Sequence, residues 1–213
     1  MKLHPQRLNG HWRDGYALDL HTVSSTPIHE VKSVEVFLDD YETEIRDEVD
    51  IIGWDTKRTE IGEHVYKLKY WKDLSRFLTI ADEAARFLNG KTDWNIDLII
   101  PVPPSDTTRE FQPVEELAKE IGAICKLAVD LSTLKKLKST PELKDIRDPG
   151  TRREILKDAF GVAADSLDGK NVLLFDDLYR SGETLNAVCD IIKNRGNPKN
   201  VYALTITKTR SNR

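Results

Sequence analysis

The chain has 213 residues, with 32 Lys and Arg against 36 Asp and Glu and a formal net charge of −4. That length suits one sizeable α/β domain, alone or with a small appendage, and buries a full core without staples; so small a charge excludes a global attraction to nucleic acid or to an anionic membrane. No apolar run could span a bilayer, the N-terminus is polar without a signal-peptide core, and Cys125 and Cys189 have no metal spacing, so a cytoplasmic protein with small buried thiols is expected.

Residues 1–59 lack helical periodicity. Ser33 to Leu38 alternates like a half-buried strand between turn-forming flanks, and Asp39 to Asp50 carries seven acids against one Arg. An irregular or antiparallel appendage is expected there. From Glu60 the spacing turns helical, through Ile61, Val65 and Leu68, then Leu74, Phe77, Leu78, Ala81, Ala84, Ala85 and Leu88. Asn89-Gly90 closes that stretch as a helix stop. Gly90-Lys91-Thr92 looks like the end of a P-loop, but Ala85 stands where the first Gly is needed and a helix precedes it. Asp97 to Val102 predicts a buried strand, Val114 to Ile121 a helix ending at Gly122, and Ala123 to Val129 another strand. Thr133 to Lys157 carries eight basic residues against four acids, with Pro141 and Pro149-Gly150, and is too long for an ordinary connection. A strand over Val172 to Phe175, a helix over about Gly182 to Arg195 and a strand over Val201 to Thr207 complete the chain. Strands alternating with helices over residues 60–213 argue for an α/β domain, a parallel central sheet flanked by helices.

The chemistry concentrates in Asn171 to Leu185. Val172-Leu173-Leu174-Phe175 is short, apolar and β-prone, as in a strand buried on both faces. It runs into adjacent Asp176 and Asp177. Successive strand side chains point to opposite faces, so both acids serve one ligand only if the strand stops there and the backbone turns. In open α/β sheets ligands bind beyond such carboxyl ends. The loop Leu178, Tyr179, Arg180, Ser181, Gly182, Glu183, Thr184 then offers amides, hydroxyls and a flexible glycine ahead of a helix, an arrangement suited to an anion. Carboxylates beside a phosphate cradle fit a ribose 5-phosphate. The alternative is a buried strand whose acidic end caps the next helix.

This segment resembles the phosphoribosyl-diphosphate-binding motif of type I phosphoribosyltransferases. The resemblance implies that Asp176 and Asp177 are the catalytic acids holding the ribose 2- and 3-hydroxyls, and that residues 178–184 wrap the 5-phosphate. It also implies that substrate-bound Mg²⁺ joins phosphoribosyl diphosphate in the site, that residues 1–59 form the hood meeting the acceptor, and that the loop after the Leu98 strand carries pyrophosphate. That loop reads Pro103, Pro104, Ser105, Asp106; the prolines stop a central strand and lack N–H groups, which leaves Ser105 and Asp106 as donors. The basic segment reads as a lid, with Lys135, Lys136, Lys138, Arg152 and Arg153 facing the pyrophosphate leaving group, or else as a solvated basic face.

Pro101-Val102-Pro103, Arg109-Glu110-Phe111-Gln112 leading into Leu117-Ala118, Ser139-Thr140-Pro141, Arg152-Arg153, Ala159-Phe160 and Leu68-Lys69-Tyr70 further resemble the ComF-type members, which are linked to DNA uptake. Arg109 is a family-matched residue on that basis. Pro113 follows Gln112 where the family pattern differs, Ile155 replaces a common Asn, and no cysteine precedes Cys125, so roles of the family's zinc module are not implied. His4, His11, His21 and His29 lack zinc-site spacing. The expected function is transfer of phosphoribosyl to an unidentified acceptor. Its rival is a non-catalytic sensor of the same ligand, with single-stranded DNA or a second copy of the chain as candidate partners. A receiver-type phospho-acceptor domain also uses an acid pair, but places it after the first strand.

Overall fold

A computed structural model of the chain describes residues 1–37, 43–71, 73–104, 109–138, 146, 148–156 and 158–210, with the side chains at 34–37, 43–46, 149, 152 and 153 outside that description. In chain order the elements are β1 (Gln6–Arg7), β2 (Asp14–Leu20), β3 (Thr22–Phe37), β4 (Thr43–Arg58), α1 (Glu60–Trp71), α2 (Phe77–Asn89), β5 (Leu98–Pro101), α3 (Pro113–Cys125) and β6 (Ala128–Val129). They continue with β7 (Lys135–Lys136), α4 (Pro149–Leu156), β8 (Phe160–Gly161), β9 (Asn171–Tyr179), α5 (Glu183–Ile191) and β10 (Asn200–Lys208).

Six strands make one sheet in the order β1-β2-β10-β9-β5-β6. All neighbours are parallel except β1, which edges the sheet antiparallel to β2. β9 is central, and its apolar run divides between two cores. Val172 and Leu174 join Ile100, Ala203 and the α5 residues Leu185, Val188 and Cys189 on one face. Leu173 and Phe175 join Ile99, Leu204 and residues of α1, α2 and α3 on the other. Burial on both faces is why the run is continuous rather than alternating, and each enclosed aliphatic stabilises the fold by about 1.5–3 kcal/mol.

Two expectations need correction. The boundary at residue 59 does not follow the sheet, because Tyr16 pairs with Leu204 and β2 is a strand of the main sheet. Ala17 and Leu18 are fully buried, so Gly15 to Leu18 is itself a short two-faced apolar run. The antiparallel parts of residues 1–59 are the β1 edge on β2 and the β3–β4 hairpin. Gly122 also does not end α3, which runs on to Cys125 and stops at Lys126 with φ 58°. A Cβ on Gly122 would lie 2.4 Å from Val129 Cγ2; the glycine allows helix and strand to touch. β6 is correspondingly only Ala128–Val129. The Asn89-Gly90 stop holds, since Gly90 caps α2 and donates to Arg86 and Phe87 carbonyls. Lys91 stacks over the Tyr16 ring at 3.9 Å, which is packing.

Candidate active site

The acid pair stands at the carboxyl rim of the central strand. Pro101 pairs with Phe175, and the Val102 N–H donates to the Phe175 carbonyl at 2.8 Å. The strand does not stop at the acids as expected, for its ladder with β10 continues to Tyr179 beside Lys208. Asp176 accepts the Asp177 N–H at 2.8 Å, and the two carboxyls lie close enough for the Asp177 charge to act on Asp176. A short side chain beside a backbone N–H readily makes such a local bond. Burial, then the neighbouring Asp177 charge, push Asp176 well above the usual carboxylate range.

Around Asp177 the structure gathers residues to which the sequence assigned no role. Lys69, in the last turn of α1, places Nζ 2.9 Å from Asp177 Oδ2, with the side chains 31% and 10% exposed. Burial pulls the Lys69 ammonium down, but attraction and a hydrogen bond from Asp177 outweigh it and the net shift is upward. His21, just past β2, shares a hydrogen bond between Nδ1 and Thr207 Oγ1 at 3.0 Å. Burial, helped by the Arg58 charge and opposed by Asp177, lowers this imidazole to about 4, so it is neutral at physiological pH. Arg180 and Lys69 push in the same direction as Arg58. Lys69 is the cation that acts on both acids.

Local chemistry explains the placement of α1. Thr59 accepts the Gly62 N–H at 3.0 Å and donates to the Leu20 carbonyl at 2.6 Å, which caps the helix and ties it to the end of β2. The Thr59 N–H donates to the His21 carbonyl at 3.3 Å. A Cβ on Gly62 would lie 2.1 Å from that carbonyl oxygen, so only glycine lets α1 seat there. Seated this way, its far end delivers Lys69 to Asp177.

The loop from Leu178 to Thr184 has the form expected of a cradle. Gly182 sits at φ 80° before α5 with no side chain capping the helix, and its carbonyl accepts the Asn186 N–H at 2.8 Å. The first amides of α5 have no intrahelical partners. Tyr179 is the floor beneath: its hydroxyl donates to the Asn9 carbonyl at 3.0 Å and its ring meets Trp12 edge-on. Arg180 and Ser181 are exposed and Leu178, Glu183 and Thr184 half-buried; the Ser181 hydroxyl donates to Glu183 at 2.7 Å.

Pro103 and Pro104 follow β5 at the same rim, half-buried, and Lys136 Nζ donates to the Pro104 carbonyl at 3.4 Å. Burial lowers the Lys136 ammonium. Lys135 and Lys136 form β7, paired antiparallel with β8, so the basic segment touches the proline turn through Lys136. Lys138 lies farther out, 3.9 Å from Asp158, and Arg109 is exposed ahead of α3. Ser105, Asp106, Ser139, Thr140 and Pro141 lie outside the described residues, as do the side chains of Arg152 and Arg153. Among the described residues no three His, Cys, Asp or Glu are grouped to hold a metal, and no helix is long and apolar enough to cross a membrane.

His21 carries no local motif, and Lys69 was read only as part of the family-like Leu68-Lys69-Tyr70 segment, with no role at the acids. The apolar run Gly15 to Leu18 ending in Asp19 was the signal for His21, as the start of a second rim residue. A family model described as phosphoribosyl transferase domain matches residues 71–212. The span takes in the acid pair and the cradle, while His21, Arg58 and Lys69 precede it. No curated protein matches the chain.

Proposed function

Because the chain belongs to the phosphoribosyl transferase domain family, we propose that it transfers phosphoribosyl from phosphoribosyl diphosphate, with Mg²⁺, to a small acceptor and releases pyrophosphate. The observation that carries this reading is an adjacent acid pair at the carboxyl end of the central strand, electrostatically coupled and followed by the Gly182 bend at the start of α5. The ComF-type assignment is the finer reading and rests on the motif residues from Leu68 to Thr184.

In this reading the α5 amides and the 178–184 loop hold the 5-phosphate, since oriented N–H groups and the helix dipole favour an anion. Asp176 and Asp177 hold the ribose hydroxyls and stabilise positive charge at C1 as the diphosphate departs. Lys136 and the Pro103-Pro104 turn face the diphosphate. Lys69 neutralises Asp177 in the free protein, so two neighbouring acids persist at a sparsely hydrated rim. With Asp177 already paired, the acid pair suits an ion carried in on substrate oxygens better than a resident one. When bound, Mg²⁺ neutralises the leaving diphosphate.

Calorimetric titration with phosphoribosyl diphosphate and Mg²⁺ tests the site. Asp177→Asn should weaken binding at least tenfold, about 1.4 kcal/mol, and unchanged affinity would remove the acids from the ligand. Pyrophosphate release is then screened over purine, pyrimidine and amine acceptors. Tight binding without release for all of them would replace transfer with sensing.

A further inference from the structure

The β3–β4 hairpin is a ribbon of two 16-residue strands, on the order of 50 Å long at the usual rise per residue, and none of its described side chains belongs to either hydrophobic core. Its register sorts its side chains. Partners across an antiparallel pair share a face. Val31 pairs with Val49, His29 with Ile51 and Pro27 with Trp54, while Ile52 is the extra residue at the irregularity between Ile28 and His29. The intervening pairs, Lys32 with Glu48, Glu30 with Asp50, Ile28 with Gly53 and Thr26 with Asp55, make the opposite face. One side is therefore apolar and the other mostly charged. Val31, Val49, Ile51, Ile52 and Trp54 are each 55–61% exposed.

A lone two-stranded ribbon is marginal in water, and an apolar face on it invites cover. We propose that this face packs against the same face of a second copy of the chain, forming a two-fold dimer in which the two ribbons make a small sandwich. The area favours this occupant. These five residues leave roughly 500 Å² of mainly apolar surface open per copy, so a pair would bury about 1,000 Å², the threshold a specific interface has to clear. A patch of that size lies toward the upper end of what a monomer exposes. The face is also suited to meeting itself, being apolar along its middle, as an isologous contact requires. Nucleic acid is disfavoured, because the charged face carries Glu30, Glu48, Asp50 and Asp55 against Lys32 and Lys57.

Sedimentation velocity at micromolar concentrations tests this. The wild type should sediment as a dimer and Val31→Lys/Ile51→Lys as a monomer, with at least a hundredfold weaker self-association. The main-sheet domain of both should melt at nearly the same temperature, because neither side chain enters its cores, whereas the ribbon itself loses the cover of its partner. Ile28→Lys, on the opposite face, should stay dimeric. A monomeric wild type overturns the proposal. So does a dimer that survives the double substitution, and one dissociated by Trp71→Glu instead would place the contact at the exposed Tyr70, Trp71 and Leu74 corner.

Discussion

Replacing Lys69 with Met removes the ammonium but keeps the stem's packing, and isolates what the charge does. At 2.9 Å from Asp177, the gross attraction is about 6 kcal/mol at an effective dielectric near 20. Desolvation of both groups cancels most of it. Removing one partner still leaves Asp177 nearly enclosed beside Asp176, so the loss should exceed that of a surface pair. Enclosed pairs lose about 3–5 kcal/mol on such a change; Lys69 is 31% exposed, and we expect about 2 kcal/mol. Urea unfolding of wild type, Lys69→Met, Asp177→Asn and the double variant gives the coupling directly. The double variant should be little worse than the worse single, with a coupling of about 1–2 kcal/mol. If Lys69→Met is as stable as wild type within about 0.5 kcal/mol, or the two single losses simply add, the pair is not what holds the acids.

Three further outcomes follow from the same site. Asp176 is held above the usual carboxylate range, so the free protein keeps a proton there that a ligand needing the carboxylate must expel; calorimetry in two buffers of different ionisation heat should show proton release and an affinity rising with pH, and buffer-independent heats shared by Asp176→Asn would refute it. His21 titrates in the folded chain near 4 against an ordinary 6.5, so the stability of its neutral form is complete above about pH 6.5 and lost as pH falls toward 4, by up to about 2–3 kcal/mol; His21→Asn should flatten that part of the stability–pH curve, and an unchanged slope would show that the ring is already solvated. Gly182→Ala should cost about 1–3 kcal/mol of strain at φ 80° and force Tyr179 aside, since the new Cβ would lie 2.5 Å from its hydroxyl; a phosphate titration should show weaker binding, and undiminished affinity would move the anion elsewhere.

Local pattern carried much of the fold. The two-faced run at Val172, the helical spacing from Ile61 to Leu88 and the last strand all sit where periodicity places them, because burial leaves a periodic trace. Elements that depend on distant partners were harder to read. Gly122 has the look of a helix stop, yet its reason lies in Val129 across the packing interface. Residues Gly15 to Leu18 read as part of an appendage because a short strand is visible only once β10 offers it an edge.

By itself the sequence determined that two acids, a glycine bend and a helix start would lie together, since four contiguous features separated by a few residues cannot be far apart. Only the tertiary structure decided what surrounds the acids. Lys69 and His21 stand 108 and 156 positions from Asp177 in the numbering, and reach it because Thr59 and Gly62 lock α1 to the end of β2. Charge acts through space and falls with distance rather than with separation along the chain, so the protonation of the rim is a property of the folded protein.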